Sequence, residues 1–497
     1  MKKKQSFAGL NFVNTYAKLP KSFYVSSKPT AVSKPVLLKL NHQLAQEFGL
    51  DVKKLTSKAG VNFCAGNYIP EGAEPIATAY AGHQFGNFTP KLGDGRAVLL
   101  GELANKKGQI FDLQLKGSGQ TPFSRRGDGR SALGPVIREY LMSEAMYALG
   151  IKTTRALAMV ASGEEVVRDK ILPGGIFTRI ASSHIRVGTF QYFAAQKQQD
   201  ALKKLADYTI KRHYATCNQD DNPYLALLRG VIAAQTKLIV SWIMKGFIHG
   251  VMNTDNMSIC GETIDYGPCA FLDTYKPDRK FSAIDYYGRY AYANQPNIAA
   301  WNLTRFADAI ITLLDNKLDK AILLARTELE KFPQLYQKYW LIEMRKKFGL
   351  ITERADDVGL FTDYLNLLEK HQADFHLSFR SLCYYGQNNL KARNFHKIYP
   401  ENPAYKKWYL AYDARLKYES STIRQRQPLM LKANPAYIPR NHLVEEVIWQ
   451  AVKYNDFSYF EKLHKILAKP YNEQQKNIKY MLPAEIIDEN YQTFCGT

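Results

Sequence analysis

The segment HGVMNTDNMSICGETIDYGP, His249 to Pro268, gathers side chains that can handle a metal and phosphates. In ATP-using phosphoryl-transfer sites, one Asn and one Asp from neighbouring loops hold a divalent metal against the triphosphate. Asn256 and Asp265 fit those two positions, and the spacing predicts a hairpin-like segment with Gly261 at its turn. Their oxygens are hard ligands, which suits Mg2+ or Mn2+. The interval from His249 to Asn256 equals that of the pattern H-R-D-x-x-x-x-N. Gly250 replaces its arginine and Val251 its catalytic aspartate. Valine accepts no proton, so the base is elsewhere or the chain is catalytically dead. Asp255 is the nearest spare carboxylate and the candidate base.

An upstream stretch supplies counterparts. Lys116 closes the strand-like run FDLQLK, and Glu139 lies early in the helix-like run VIREYLMSEAMYALG. Such a Lys–Glu pair orients an ammonium on a nucleotide phosphate. Between them, SGQTPFSRRGDGRSALGP carries Arg125, Arg126, Asp128, Gly129 and Arg130, and Arg179 and Arg186 follow further on. Guanidinium forks suit phosphate oxygens. The run GDGRAV, with Gly93, Gly95 and Arg96, is a shortened echo of a glycine-rich nucleotide loop. His249, ending an apolar helix, reads as a structural hydrogen-bonding residue, and His83 as a support for its glycine-rich segment.

The elements that must position these groups come in a definite order. LLKLNHQLAQEFGL, ending at Leu50, has helical spacing with Gly49 at its end. Tyr80 to Arg96 reads as loop and turn. AVLLGEL and QIFDLQLKG read as two strands joined by a hairpin-sized ANKKG. The next helix has Pro135 near its start and Gly150 past its end, the expected asymmetry. Strand-like runs follow in TTRALAMVAS, EEVVRD and GGIFTRIA. From about residue 190 the chain turns helical, with a long helix over Leu225 to Phe247 and several more over 301–425. Pro428, Pro435 and Pro439 mark a linker or an extended crossing segment, and LVEEVIWQAV a late helix. This predicts an extension over 1–90, a mixed lobe over 91–190, a mainly helical lobe over 191–425 and a tail over 426–497.

Composition sets the outer limits. The chain has 497 residues, 46% of them hydrophobic, with 32 Tyr and 25 Phe, which is ample for a large core and excludes general disorder. A formal charge of +21 favours anionic partners without choosing among them. The lysines near 466–480 read as a solvated face, and no nucleic-acid motif accompanies the charge. Six cysteines with no C-x-x-C pair exclude a disulfide scaffold and fit a reducing compartment, so a cytoplasmic location is expected. The basic start MKKKQSFAGLNF lacks an apolar run, and VIAAQTKLIVSWIMKGFI carries Gln235, Lys237 and Lys245, so neither a signal peptide nor a membrane span is expected.

Four stretches carry a more specific resemblance: YAGHQFGNFTPKLGDGRAVLLGE, LQLKGSGQTPFSRRGDGRSALGPVIREYLMSEAMYALGI, GIFTRIASSHIRVGTF and FIHGVMNTDNMSICGETIDYGPCAFLD. With them the chain resembles, nearly end to end, the selenoprotein O family, in its cysteine-containing bacterial form. The resemblance implies an α+β, protein-kinase-like (pseudokinase) two-lobed fold, with an N-terminal extension and additional C-terminal helices. It implies ATP bound in a flipped orientation and AMP transfer to Ser, Thr or Tyr hydroxyls of proteins. By the same resemblance Lys116 and Glu139 match the family ion pair, Asn256 and Asp265 the metal ligands, and Asp255 the base. Gly93, Gly95, Arg96, Lys116, Asp128, Gly129, Arg179 and Arg186 match nucleotide contacts, with Arg125, Arg126 and Arg130 as further phosphate contacts. Many relatives carry a redox-active residue near the carboxyl end, where this chain has Cys495. DTYKPDRKFSAID holds no cysteine where a bacterial partner is expected, and Cys269 precedes that place. A free thiol and a regulatory disulfide both remain open. The residues also leave open γ-phosphoryl transfer, non-catalytic ATP binding and the oligomeric state.

Overall fold

A computed structural model describes residues 6–486, 488 and 491–493. Its centre is an antiparallel sheet of eight strands. The strands are β1 (Tyr24–Ser26), β2 (Val36–Leu40), β3 (Ile76–Thr78), β6 (Ala97–Ala104), β7 (Ile110–Lys116), β8 (Ser131–Ala132), β9 (Arg155–Val167) and β10 (Ile171–Ala181). They run in the order β1-β3-β6-β7-β10-β9-β2, with β8 added on β10. A separate hairpin joins β4 (Gly82–Gln84) to β5 (Asn87–Thr89), and β11 (Phe247–Ile248) pairs with β12 (Ala270–Phe271). Three short helices, α1 (His42–Glu47), α2 (Val52–Thr56) and α3 (Lys58–Cys64), precede β3, and α4 (Leu133–Ala148) follows β8.

Strand alternation puts chemistry on one face of β7 and grease on the other. Leu113 and Leu115 share an apolar cluster with Leu44 and Phe63 from α1 and α3. Asp112, Gln114 and Lys116, the intervening residues, are also buried but point the other way. The β6–β7 turn is closed by the Asn105 side chain, which accepts from the N–H groups of Lys107 and Gln109 at 2.9 and 3.0 Å. Gly150 ends α4 with φ +81°, and Ile151 N–H returns to Met146 O at 3.0 Å. Glu144 then ties α4 to the sheet through Arg155 Nε and Ala156 N–H, both at 2.9 Å.

The rest is helical: α5 (Val187–Ala195), α6 (Gln199–His213), α7 (Pro223–Met244), α8 (Gln295–Leu314), α9 (Leu318–Leu329), α10 (Phe332–Phe348), α11 (Asp357–Lys370) and α12 (Phe375–Leu382). Then come α13 (Leu390–Ile398), α14 (Lys406–Leu416), α15 (Ile423–Ala433), α16 (Asn441–Tyr454) and α17 (Ser458–Leu467). The whole is a mixed α/β fold with an N-terminal extension and an extensive C-terminal helical region. Asn222 caps α7 and Pro223 opens it. By length and composition α7 could cross a membrane, yet 67% of its most apolar window is buried inside the protein, as befits a core helix. Its polar residues hold the loop beyond it: Trp242 Nε1 donates to Thr263 Oγ1 at 2.9 Å and Gln235 Nε2 to Ser258 O at 2.5 Å.

Four local expectations need correction. Leu37 to Leu40 form strand β2, not the start of a helix, because the edge of β9 offers them backbone partners and Asn41 caps α1 only after them. TTRALAMVAS and EEVVRD merge into the single strand β9, since β10 pairs along its length across a bulge. Pro428 lies inside α15, whose start is secured by a Thr422–Gln425 capping box, so no linker begins there. The extended crossing is confined to 434–440 and is buried, with Tyr437 and Ile438 in the core. Finally, the arms around Gly261 do not pair with each other: Ser258 bridges to Arg186 and Thr263 to Thr153.

Buried histidines make the fold sensitive to acid. Neither ring nitrogen of His376 has a hydrogen-bond partner among the described residues. Burial, reinforced by Arg440, Lys347 and Lys245, holds this imidazole well below its usual range. The unfolded chain protonates near pH 6.5 while the folded one does not, so stability is full above that pH and falls below it. Each such histidine costs about 1.4 kcal/mol per pH unit in that window. Urea unfolding of His376→Leu at pH 7.5 and 5.5 is expected to show a smaller loss on acidification than the parent chain; an equal loss refutes the assignment.

Candidate active site

The site assembles where β7, β10, α4 and the loop after α7 converge. Lys116 Nζ, at the end of β7, donates to Glu139 Oε2 of α4 at 2.7 Å and to Asp265 Oδ1 at 2.7 Å. Arg179 of β10 donates from Nη1 to Asp265 Oδ1 at 2.8 Å and to Glu139 Oε1 at 3.1 Å, and from Nε to Gln114 Oε1 at 2.9 Å. The Arg186 guanidinium carbon lies over the Tyr80 ring, 4.2 Å from its centre, with Nη2 3.7 Å from Asp94 Oδ1 and 3.8 Å from Asp265 Oδ2. Asp94 is fixed in turn by Thr78 Oγ1 at 2.6 Å. Three buried cations therefore face three carboxylates, which removes most of the cost of burying either sign. Burial alone would raise the Asp265 carboxyl; Lys116, Arg179 and Arg186 outweigh it and hold the group well below the usual carboxylate range. Asp265 also has φ +63°, a conformation that costs a non-glycine residue about 1 kcal/mol or more and collects at functional sites.

Asp255 is built the opposite way. It sits in a helical turn, Thr254–Asn256, against the β4–β5 hairpin. That hairpin docks through Phe85 N–H to Asn253 Oδ1 at 3.0 Å and His83 N–H to Thr254 Oγ1 at 2.7 Å. Gly82 permits the contact, since a Cβ there would lie 2.5 Å from Asp255 Oδ1. Gln84 Nε2 donates to Oδ2 at 3.3 Å, while the buried Oδ1 has no partner among the described residues. Burial pushes the Asp255 carboxyl up to about 6. Next to it, Asn256 Nδ2 donates to Val251 O at 3.1 Å.

One cavity of about 870 Å³ joins these groups. Gly93, Gly95, Arg96, Lys116, Arg125, Arg126, Asp128, Gly129, Arg130, Arg179, Arg186, Asp255, Asn256 and Asp265 all line it. Glu139 stands behind Lys116. The arginines of the glycine-rich loop divide. Arg130 is occupied by Thr30 O and Ala31 O at 3.0 and 3.1 Å, whereas Arg125 and Arg126 are exposed at the rim with positive φ. Asp128 accepts from Arg168 at 2.8 and 3.0 Å, which ties this loop to the β9–β10 turn. Gly129, at φ +65°, brings the loop ends together, where a Cβ would stand 2.1 Å from Gly119 O.

His249 is a structural histidine, stacked on Trp242, with Nε2 donating to Ile264 O at 2.9 Å and Nδ1 accepting from Val251 N–H at 3.3 Å. Cys269 is buried, and Cys495 lies outside the described residues. Reading the residues alone missed Gln84, Asp94, Gln114 and Asn253. Asp94 could have been found from its place between two singled-out glycines. Gln84 carries no local signal, because its role depends on a hairpin meeting a loop far along the chain.

A mixed α/β frame that sets buried cations and hard-oxygen donors around one large polar cavity defines a protein equipped for phosphate-group chemistry. The comparisons name the family. The model for protein adenylyltransferase SelO matches residues 6–468, and the chain belongs to that family. It is 51% identical over 486 residues to the protein nucleotidyltransferase YdiU of Rhizobium meliloti (strain 1021), covering 98% of this chain and 99% of the relative. It is 50% identical over 496 residues to the protein nucleotidyltransferase YdiU of Bacillus cytotoxicus, covering 100% and 99%. At family level the protein is thus a SelO/YdiU nucleotidyltransferase acting on proteins.

Gly129→Ala forces a side chain into the left-handed region and against Gly119 O. Titration calorimetry is expected to show ATP affinity at least about tenfold weaker, a cost of about 1.4 kcal/mol, with the fold retained. Unchanged affinity would remove this loop from nucleotide binding.

Proposed function

We propose that the protein transfers AMP from ATP to serine, threonine or tyrosine hydroxyls of other proteins and releases pyrophosphate, on a two-lobed, kinase-like frame in a cytoplasmic setting. One observation carries this reading. Val251 occupies the ordinary kinase base position, while Asp255 lines the same cavity with a buried carboxyl whose affinity for a proton is raised.

The donor set fits a divalent metal shared with phosphates. Asn256 and Asp265 both line the cavity with hard oxygens, and Mg2+ takes one or two protein carboxylates or amides and leaves its other positions to phosphate and water. Among the described residues no cluster of three or more His, Cys, Asp or Glu forms an all-protein cage, in keeping with such a shared ion. When bound, the metal neutralises charge on the phosphates.

In this reading Asp255 accepts the proton of the acceptor hydroxyl. The freed oxygen attacks the α-phosphorus, the bond from that phosphorus to the bridging oxygen breaks, and its electron pair leaves with pyrophosphate. Lys116, Arg179 and Arg186 are already fixed by buried partners and meet the growing negative charge without reorganising. Glu139 keeps Lys116 aimed into the cavity. Gln84 Nε2, 3.3 Å from Oδ2, steadies the Asp255 carboxyl in the cavity. A flipped nucleotide accounts for the lost kinase base, because the α-phosphorus then lies on the acceptor side.

Incubation with Mg2+ and ATP labelled at the α-phosphate should label protein, and ATP labelled at the γ-phosphate should not. Dominant γ-label would favour a kinase instead, and nucleotide binding without either label a non-catalytic module. Asp265→Ala is expected to abolish transfer. Asp255→Asn should lower the transfer rate at least about 100-fold while ATP still binds; a variant with full activity would eliminate Asp255 as the base.

A further inference from the structure

The two buried arginines of the cleft are held in different ways. Arg179 is occupied by protein partners, with Nε on Gln114 and Nη1 on Asp265 and Glu139. Arg186 is not. Its Nε is buried without a hydrogen-bond partner among the described residues. Its Nη2 stands 3.7 and 3.8 Å from the nearest oxygens of Asp94 and Asp265, beyond a hydrogen bond. Yet its side chain is only 3% exposed and lines the cleft. A buried guanidinium with donors still open is suited to phosphate oxygens.

A ring face takes the place of the missing hydrogen bonds. Tyr80, which also lines the cleft, lies under the Arg186 guanidinium. A cation over an aromatic face is attracted by the ring quadrupole, most strongly where water is excluded. The contact needs no acceptor atom, so it steadies the cation without competing with a phosphate. Backbone contacts fix both partners. Tyr80 O accepts from Leu92 and Gly93 N–H at 2.9 and 3.1 Å, which ties the ring to the glycine turn. Ala81 N–H donates to Gly188 O at 2.9 Å, and a Cβ on Gly188 would stand 2.1 Å from Ala81 O. Arg186 N–H donates to Thr189 Oγ1 at 3.1 Å where α5 begins. Burial raises the affinity of the Tyr80 hydroxyl for its proton, so the ring stays neutral.

We propose that Tyr80 is a positioning residue for nucleotide binding: its ring holds Arg186 where the open guanidinium donors meet the triphosphate. Its hydroxyl takes no part. The inference rests on the reading of this cleft as an ATP site, but not on which phosphate is transferred. It also divides the two arginines: Arg179 braces Asp265 and Glu139, and Arg186 grips the ligand.

The test is a double-mutant cycle on the full chain, read as the affinity for a non-hydrolysable ATP analogue with Mg2+ by calorimetry. Tyr80→Leu and Arg186→Met should each weaken the analogue at least about tenfold. Tyr80→Phe keeps the ring face and should stay within about threefold of the parent. In the Arg186→Met background, Tyr80→Leu should add less than about twofold, because the group it positions is gone. A general disturbance of the fold would instead multiply the two losses, and that result overturns the role. So does full affinity in Tyr80→Leu, or a Tyr80→Phe variant as weak as Tyr80→Leu, which would assign the effect to the hydroxyl. Full affinity in Arg186→Met removes Arg186 from the ligand and the role of Tyr80 with it. A protein that binds the analogue but transfers no α-label loses the transfer reading alone, and the four affinities still decide the role of Tyr80.

Discussion

Everything around the cleft depends on Lys116 meeting two carboxylates at once. Glu139 comes from a helix and Asp265 from a loop far along the chain, and both lie 2.7 Å from the same ammonium. A buried lysine is tolerable only with such partners, and each carboxylate is tolerable only with the lysine and Arg179. The sheet, α4 and the loop after α7 must therefore stand in one arrangement. Glu144 pinning α4 to Arg155, and Trp242 and Gln235 pinning the loop to α7, are the supports that set it.

The same cluster explains why two aspartates in one cavity differ so much. Asp265 is surrounded by three cations and stays ionised. Asp255 has burial and a single amide, so it binds its proton far more readily. Environments that push two carboxyls apart are how one site obtains both a permanent charge and a proton acceptor. The hairpin that shields Asp255 is short and exposed along β5, yet its backbone is fixed by Asn253 and Thr254, which makes it part of the site.

Much of this was legible from residue types and order. β6, β7, α4, α7 and α8 follow from apolar alternation, from 3.6-residue periodicity and from Pro and Gly at their ends. Lys116, Glu139, Asn256 and Asp265 were legible because metal and phosphate chemistry restricts which side chains will serve. Leu37–Leu40 was misread because its helical spacing is overruled by a waiting sheet edge, and Pro428 because the helix that contains it is set by a capping box at Thr422 and by burial of Arg426 and Met430. Arg130 looked like its neighbours Arg125 and Arg126, but its guanidinium reaches back to Thr30 and Ala31.

By itself the sequence determined the chemical inventory: which cations, carboxylates and glycines are available, the elements that carry them and the family to which they belong. Tertiary structure alone decided which of them face one another. That Asp255 is buried against Gly82 and that Gln84 holds one of its oxygens are consequences of contacts across long chain separations. Local propensity acts through neighbours in the chain, whereas burial and charge pairing act through neighbours in space, and only the fold specifies those.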